Sequence, residues 1–236
     1  MVEVAQLREG WTAGKGASAS RVAIQVVASP ALGLADAFAS AHISFPCRDQ
    51  RLKRLFDVVA SAVCLVVLSP LMAIIWIAVV STSRGPALFM SSRVGRYGRT
   101  FTMPKFRTMV VGVRSCSRES LDGAGDQVTL VGRVLRRLGL DELPQLVCVL
   151  RGDMSLIGPR PLLADDPGAL ERIRFPAALS MRPGISGLAQ VSGRNLVSPR
   201  RKARLDAFYA RSASLGFDMV LLARTLVVVV SGKGFI

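Results

Sequence analysis

The chain has 236 residues with a formal net charge of +15, and half of its residues are hydrophobic. Such a composition predicts a folded protein whose basic surface binds phosphate groups, nucleic acid or an anionic bilayer, without choosing among them. The single histidine, His42, argues against a histidine-assisted nucleophile or a histidine-rich metal site, so any chemistry must use carboxylates.

Residues 1–50 form a leader that mixes glycine, serine, alanine and charged residues, with one short apolar patch over residues 22–27. That patch lacks the basic-then-apolar layout of a cleaved signal peptide. We therefore expect the leader to be largely disordered.

A membrane element is predicted after the leader. The basic segment RLKRLFD precedes an uncharged stretch, residues 58–80, that is long enough for a helix to cross a bilayer of about 30 Å. Ser69-Pro70 falls near its midpoint, where proline removes a helical hydrogen bond and bends the axis. Both flanks are rich in basic residues, so the positive-inside rule places both in the cytoplasm. Residues 51–82 are thus predicted to form a re-entrant helix broken at Ser69-Pro70; the alternative is a proline-kinked span.

Residues 83–236 have the pattern of a soluble domain, which the basic flanks of the apolar segment place in the cytoplasm. A glycine-turned hairpin or short strands are predicted around RVGRYGRTFTMPKFRTM, and helices are predicted over residues 131–139 and 144–152. An amphipathic helix over residues 199–215 carries a basic face suited to anionic lipid. The predicted fold class is α+β, mainly helical, in a membrane-associated monotopic domain with amphipathic interfacial helices.

Two adjacent carboxylates, Asp141 and Glu142, stand before Pro144 at a predicted helix entrance. One could attack a phosphorus atom while the other holds a divalent cation, because hard oxygen ligands suit Mg²⁺. The alternative is structural: Asp141 caps the helix and Glu142 is a solvated acid of its first turn.

Basic residues surround this pair in the sequence. Arg136 and Arg137 precede it, Arg160 follows in a glycine- and proline-rich loop, and the KFR segment covers residues 105–107. Arginine binds phosphate oxygens with two parallel hydrogen bonds and keeps its charge. We expect these cations to line an anion pocket and to lower the pKa values of both carboxylates.

The segments KRLFD, KFRTM, LRRLGLDELPQL, LRGDMSLIGPRP and RPGISGLAQVSGR occur in this order. Their sequence and spacing strongly resemble the bacterial sugar transferase family, which comprises small monotopic phosphoglycosyl transferases. The resemblance covers residues 51–234. It implies transfer of a sugar-1-phosphate from a UDP-sugar to polyprenyl (undecaprenyl) phosphate through a covalent phospho-aspartyl intermediate, with Mg²⁺ and release of UMP. It also implies a location at the cytoplasmic face of the bacterial inner membrane, where such enzymes start exopolysaccharide or glycan assembly.

The resemblance assigns roles by motif. The nucleophile falls on Asp141 and the metal-associated acid on Glu142, while the residues expected to bind phosphate or nucleotide, or to shape the donor pocket, are Lys105, Arg107, Arg136, Arg160, Gly184, Gln190 and Arg194. The start of the re-entrant helix falls on Lys53, Arg54 and Asp57, and its break on Ser69 and Pro70. No nucleic acid partner is expected, and a homo-oligomer is left open.

The sequence also departs from the family pattern. The family often has Gln at the position of Ser91, Arg at Gln127 and Asn at Cys148, and Trp with acidic residues where this chain has residues 199–201. These departures lie outside the carboxylate pair and leave the sugar unassigned. A rival hypothesis is a non-catalytic basic protein that binds a membrane surface or nucleic acid, but it gives no reason for the ordered motifs.

Overall fold

The structure is a computed structural model that describes residues 50–111, 127–193 and 197–231. The leader up to residue 49 and the predicted site residue Arg194 lie outside these ranges. The described residues are mainly helical with four short strands, which confirms the predicted α+β class.

The described helices, in chain order, are α1 (Gln50–Thr82), α2 (Leu130–Leu138), α3 (Leu146–Arg151), α4 (Pro167–Ile173), α5 (Leu188–Val191), α6 (Pro199–Ser212) and α7 (Leu215–Ser231). The strands are β1 (Leu88–Val94), β2 (Thr100–Phe106), β3 (Ser155–Ile157) and β4 (Gly184–Ser186). Short 3-10 helices cover Arg96–Gly98, Leu140–Gln145 and Pro176–Leu179. The helix predicted over residues 131–139 is confirmed by α2, whereas the one predicted over residues 199–215 is divided between α6 and α7.

Two small sheets organise the domain. Strands β1 and β2 form the predicted antiparallel hairpin, with Leu88 opposite Phe106 and Val94 opposite Thr100. Strands β3 and β4 pair in parallel, which brings the loop after β3 beside the RPGISG segment. A Cβ at Gly184 would collide with the backbone of Gly158, so this close approach requires glycine.

Helix α1 is long and apolar enough to cross a membrane. Its helical structure runs without interruption from Gln50 to Thr82 with Pro70 inside it, so the predicted break at Ser69-Pro70 does not divide the segment. Proline leaves the carbonyl four residues earlier without its helical donor, and that carbonyl belongs to Val66. The Ser69 hydroxyl donates to it at 2.8 Å, which compensates for the missing bond. The re-entrant path of α1 stays a prediction.

Helix α1 packs against the domain at both ends. Its buried residues are Lys53, Asp57, Ser61, Ile75 and Val79. Between them, no residue from 62 to 74 is buried, and the exposed fractions of Val66 and Ile74 are 74% and 64%. The middle of the helix is therefore an exposed apolar surface held between two anchored ends.

A buried polar cluster anchors the start of α1. The Lys53 ammonium group donates to Asp218 Oδ2 at 2.6 Å and to the Ile157 carbonyl at 3.1 Å. The Tyr209 hydroxyl donates to Asp218 Oδ1 at 2.6 Å and lies 3.2 Å from the same Ile157 carbonyl. These four residues, named here the α1 anchor, connect α1 with β3, α6 and α7.

Two further residues of the KRLFD motif, which also contains Lys53, strengthen the attachment of α1. Asp57 accepts hydrogen bonds from the Ser155 hydroxyl at 2.8 Å and from the Leu156 amide at 3.2 Å. Arg54 donates to the carbonyls of Val149 and Leu150, the last turn of α3, where a cation is favourable. The KRLFD motif therefore has an evident role in fixing α1 to the domain.

The α1 anchor generates a stability prediction. Removing one partner of a buried ion pair leaves the other charge uncompensated, which typically costs about 3–5 kcal/mol. We expect Lys53→Met to lower the melting temperature of the detergent-solubilised protein strongly. The control Arg174→Ala removes an exposed ion pair with Glu171 and should cost less than about 1 kcal/mol. Equal shifts for the two variants would contradict the role of the α1 anchor.

Candidate active site

The adjacent carboxylates lie in a 3-10 helix between α2 and α3. Helix α2 ends at Gly139, whose φ of 70° is the left-handed conformation that glycine adopts easily. The 3-10 helix then covers Leu140–Gln145. Because Gly139 precedes this helix as its cap, the alternative assignment of Asp141 as the helix cap is wrong. Residues three apart eclipse in a 3-10 helix, so Glu142 and Gln145 share one face.

That face opens on a small cleft with about 30 Å³ of free space. The hairpin contributes one wall, the 3-10 helix a second, and the loop after β3 together with strand β4 the rest. The lining residues are Arg93, Met103, Lys105, Glu142, Gln145, Arg160, Pro161, Gly184 and Ile185. The lining is thus predominantly polar and carries three basic side chains, which suits an anion.

Glu142 is held by two cations. Its Oε1 accepts hydrogen bonds from Lys105 Nζ at 2.7 Å and from Arg160 Nη2 at 3.3 Å. All three side chains retain some solvent access, so an anion that enters the cleft can reach them. An incoming phosphate could therefore recruit Lys105 and Arg160 without unfolding the cleft.

The electrostatics of Asp141 differ from the sequence expectation. Burial, and then the neighbouring charge of Glu142, raise the pKa of Asp141 above its ordinary value. Lys105, Arg136 and Arg160 act in the opposite direction but do not outweigh these effects. For Asp141, the expectation that nearby cations lower the pKa is wrong, because the carboxylate loses more solvation than the cations restore.

A buried ion pair supports Arg160 from behind. Arg172 donates through Nε and Nη2 to Asp206 Oδ2, at 3.0 and 2.5 Å, and through Nη1 to the Arg160 carbonyl at 2.6 Å. Arg172 and Asp206 are 5% and 1% exposed. The pair therefore joins α4 and α6 and fixes the backbone from which Arg160 reaches Glu142.

The structure brings together some of the predicted site residues and not others. Lys105, Glu142, Arg160 and Gly184 line the cleft, whereas Asp141 and Arg136 are not among its lining residues. Arg136 donates through Nε to the Thr108 hydroxyl at 2.8 Å.

Arg107 and Gln190 have different surroundings. Arg107 is buried and donates to the carbonyls of Ser83, Arg84 and Gly85, which fixes the connection between α1 and β1. Gln190 donates to the Ile185 carbonyl at 2.9 Å and so supports β4. Neither residue lines the cleft, and these contacts favour structural roles over direct contact with phosphate.

Two polar residues of the cleft, Arg93 and Gln145, were not predicted as site residues from the sequence. Arg93 was counted only as a charge flanking the membrane segment, although its place in the RVGRYG motif could have drawn attention to it. Gln145 lies inside the DELPQ motif, three residues after Glu142, and the 3-10 geometry that aligns the two was not expected. Both were within reach of a closer reading of the motifs.

Comparisons with known proteins agree on one family. The family described as "Bacterial sugar transferase" matches residues 48–232. The undecaprenyl-phosphate galactose phosphotransferase of Salmonella typhimurium is 40% identical over 202 residues, which cover 78% of this chain and 41% of that protein.

Two other relatives are closer to this chain in length. The exopolysaccharide production protein ExoY of Rhizobium meliloti is 37% identical over 77% of this chain and 87% of its own length. The UDP-glucose:undecaprenyl-phosphate glucose-1-phosphate transferase of Caulobacter vibrioides is 40% identical over 74% of this chain and 68% of its own length. The chain therefore spans less than half of the Salmonella protein and most of the other two.

The raised pKa of Asp141 predicts a pH-dependent stability. Between pH 3.8, its ordinary value, and the higher value in the folded protein, the native state binds more protons than the unfolded state. Stability contributed by this group therefore falls as the pH rises through that window, so it is lower at neutral pH than at acidic pH.

We expect Asp141→Asn to raise the melting temperature at pH 7 in EDTA, with the gain vanishing below about pH 4. Asp165→Asn, which removes an exposed carboxylate, serves as the control and should give no such gain. A gain for Asp141→Asn that is the same at both pH values would contradict the prediction.

Proposed function

The chain belongs to the bacterial sugar transferase family, and we propose that it transfers a sugar-1-phosphate from a UDP-sugar to undecaprenyl phosphate, releasing UMP. The names of its Salmonella and Caulobacter relatives support this reaction, and the name of the Rhizobium relative supports a role in exopolysaccharide production. The observation that carries the proposal is the cleft, where Glu142, beside Asp141, meets Lys105 and Arg160. A non-catalytic basic protein would need no such convergence.

Asp141 is the proposed nucleophile. Its carboxylate oxygen forms a bond to the β-phosphorus of the UDP-sugar while the bond from that phosphorus to the bridging oxygen breaks, and UMP leaves with the electron pair. An oxygen of undecaprenyl phosphate then attacks the same phosphorus. The acyl phosphate bond breaks, and Asp141 is restored as a carboxylate.

Mg²⁺ is the metal that the family resemblance implies. Among the described residues, no group of three or more His, Cys, Asp or Glu side chains could hold a metal ion. The carboxylate pair nevertheless fits Mg²⁺, which usually binds one or two protein carboxylates together with substrate phosphates and water. Glu142 would hold the ion, which when bound would neutralise phosphate charge.

The basic residues of the cleft have a complementary role. In the absence of substrate, Lys105 and Arg160 neutralise Glu142. In the proposed complex they bind phosphate oxygens instead and stabilise the negative charge that accumulates on departing UMP. The cations and carboxylates thereby balance each other in both states of the cleft.

We further propose that α1 enters the cytoplasmic leaflet of the bacterial inner membrane and returns to the same side. Its two ends pack on one domain, and its exposed apolar middle lies between them. If α1 were straight, its 33 residues would form a helix about 50 Å long. The re-entrant path would place the cleft near the lipid headgroups, where a lipid phosphate and a water-soluble nucleotide can meet.

Helices α6 and α7 are proposed to lie at the bilayer interface. The exposed face of α6 carries Arg200, Arg201, Arg204 and Arg211 around Phe208, which is 56% exposed. On α7, Leu226 and Val227 are each 66% exposed. Arginines beside exposed apolar side chains suit the boundary between anionic headgroups and acyl chains.

The nucleophile assignment is tested by substitution. Asp141→Asn should lower turnover at least about a thousandfold, because removing a nucleophile abolishes the covalent route. It should also abolish exchange of labelled UMP into the UDP-sugar in the absence of acceptor. Glu142→Gln should raise the Mg²⁺ concentration needed for half-maximal activity. Asp165→Asn is the control and should retain activity. Undiminished turnover by Asp141→Asn would contradict the proposed mechanism.

The membrane path is tested by protease protection. With an epitope tag at either terminus, both tags should resist protease added to intact spheroplasts and should be cleaved after lysis. Cleavage of the N-terminal tag in intact spheroplasts, with the C-terminal tag protected, would establish a span and reject the re-entrant path.

A further inference from the structure

Gln145 is a buried polar residue that the proposed mechanism does not yet use. It is 2% exposed, and within the described part of the chain its Nε2 group has no hydrogen-bond partner. Buried donors are almost always paired, because an unpaired one loses its hydration without compensation. A side chain kept in this condition therefore suggests a ligand whose acceptor atom completes it.

The position of Gln145 indicates where that acceptor would sit. Gln145 lines the same cleft as Glu142, and the two share one face of the 3-10 helix. The free space of about 30 Å³ is enough for roughly two water molecules. In the absence of ligand, water can occupy the place that a ligand oxygen would take.

Arg93 approaches the cleft from the opposite wall. Its Nε donates to the Ser91 hydroxyl at 3.0 Å, which orients the guanidinium group. Burial, and then the neighbouring charge of Arg160, lower the pKa of Arg93. Three carboxylates act in the opposite direction: Asp166, Glu142 and Asp165.

Two arginines close enough to perturb each other are unfavourable without an anion between them. Lys105 is a third cation in the same lining. The carboxylates already present offset part of this charge, but Glu142 is shared by Lys105 and Arg160. Among the lining residues, three cations accompany one carboxylate, Glu142, and this excess of positive charge within the cleft indicates an anion with several oxygens rather than a neutral sugar ring.

We propose that Gln145 Nε2 and the Arg93 guanidinium group bind phosphate oxygens of the diphosphate in the cleft. The Gln145 amide donates a hydrogen bond without adding charge, so it orients the diphosphate. The Arg93 guanidinium group adds electrostatic attraction. That this diphosphate belongs to a UDP-sugar rests on the proposed function; the anion site itself rests on the cleft.

The test uses the full-length chain in detergent, with inorganic pyrophosphate and UDP as probes in calorimetric titrations. Gln145→Met keeps the length of the side chain and removes the unpaired donor. Losing a hydrogen bond to a charged partner should weaken binding of both probes about 10- to 100-fold. Because the variant also removes an unsatisfied buried group, its melting temperature without ligand should be unchanged or higher.

Gln190→Met is the matched control. Gln190 donates to the Ile185 carbonyl, its Oε1 is also buried without a partner among the described residues, and it does not line the cleft, so this variant should change pyrophosphate affinity much less. Arg93→Gln should weaken both probes as Gln145→Met does. Unchanged affinity in folded Gln145→Met protein would overturn the proposal. Weaker binding accompanied by a lower melting temperature would also overturn it, since Gln145 would then act through packing.

The outcomes also separate this proposal from the proposed function. If Gln145→Met weakens pyrophosphate binding but the wild-type protein releases no UMP from UDP-sugars, the anion site stands and the proposed reaction fails. If the wild-type protein releases UMP and Gln145→Met leaves the KM and the UDP affinity unchanged, the reaction stands and the role of Gln145 fails.

Discussion

The α1 anchor is the interaction on which the rest of the structure depends. Lys53, Asp218, Tyr209 and the Ile157 carbonyl bind one another in the interior, although burying an ion pair costs solvation. Such a pair is weak evidence for stability, but its geometry has a consequence for position. Ile157 ends β3 and directly precedes the loop that carries Arg160, so the same contact fixes both the apolar helix and the base of that loop.

The cleft shows how a strongly basic chain accommodates two adjacent carboxylates. Glu142 is neutralised by Lys105 and Arg160, whereas Asp141 has its pKa raised by burial and by Glu142. The two carboxylates are therefore unequal before any substrate arrives. One is already engaged with cations, and the other is held in a poorly solvated place where its negative charge is unfavourable.

Local sequence signals predicted the parts of the fold that depend on neighbouring residues: helix α2, the hairpin and the helix stop at Gly152. The motifs also predicted four of the lining residues. They did not predict the 3-10 helix, the Arg172–Asp206 pair or the buried setting of Arg107, because these arise from contacts between distant segments. The continuity of α1 was missed for a local reason, since Ser69 supplies the donor that Pro70 lacks.

Stabilising and destabilising features occupy different parts of this molecule. The anchor of α1 and the pair behind Arg160 are buried and bonded to their partners, whereas Gln145 in the cleft has an unpaired amide donor and the neighbouring Asp141 is a poorly solvated carboxylate. Substituting apolar residues for Gln145 and Asp141 would remove these unfavourable groups, so packing alone gives no reason for them. A ligand that accepts a hydrogen bond from Gln145 and offsets the charge of the surrounding cations would give such a reason. The unfavourable groups of the cleft are thus those to which a polyphosphate could supply hydrogen-bond acceptors and negative charge.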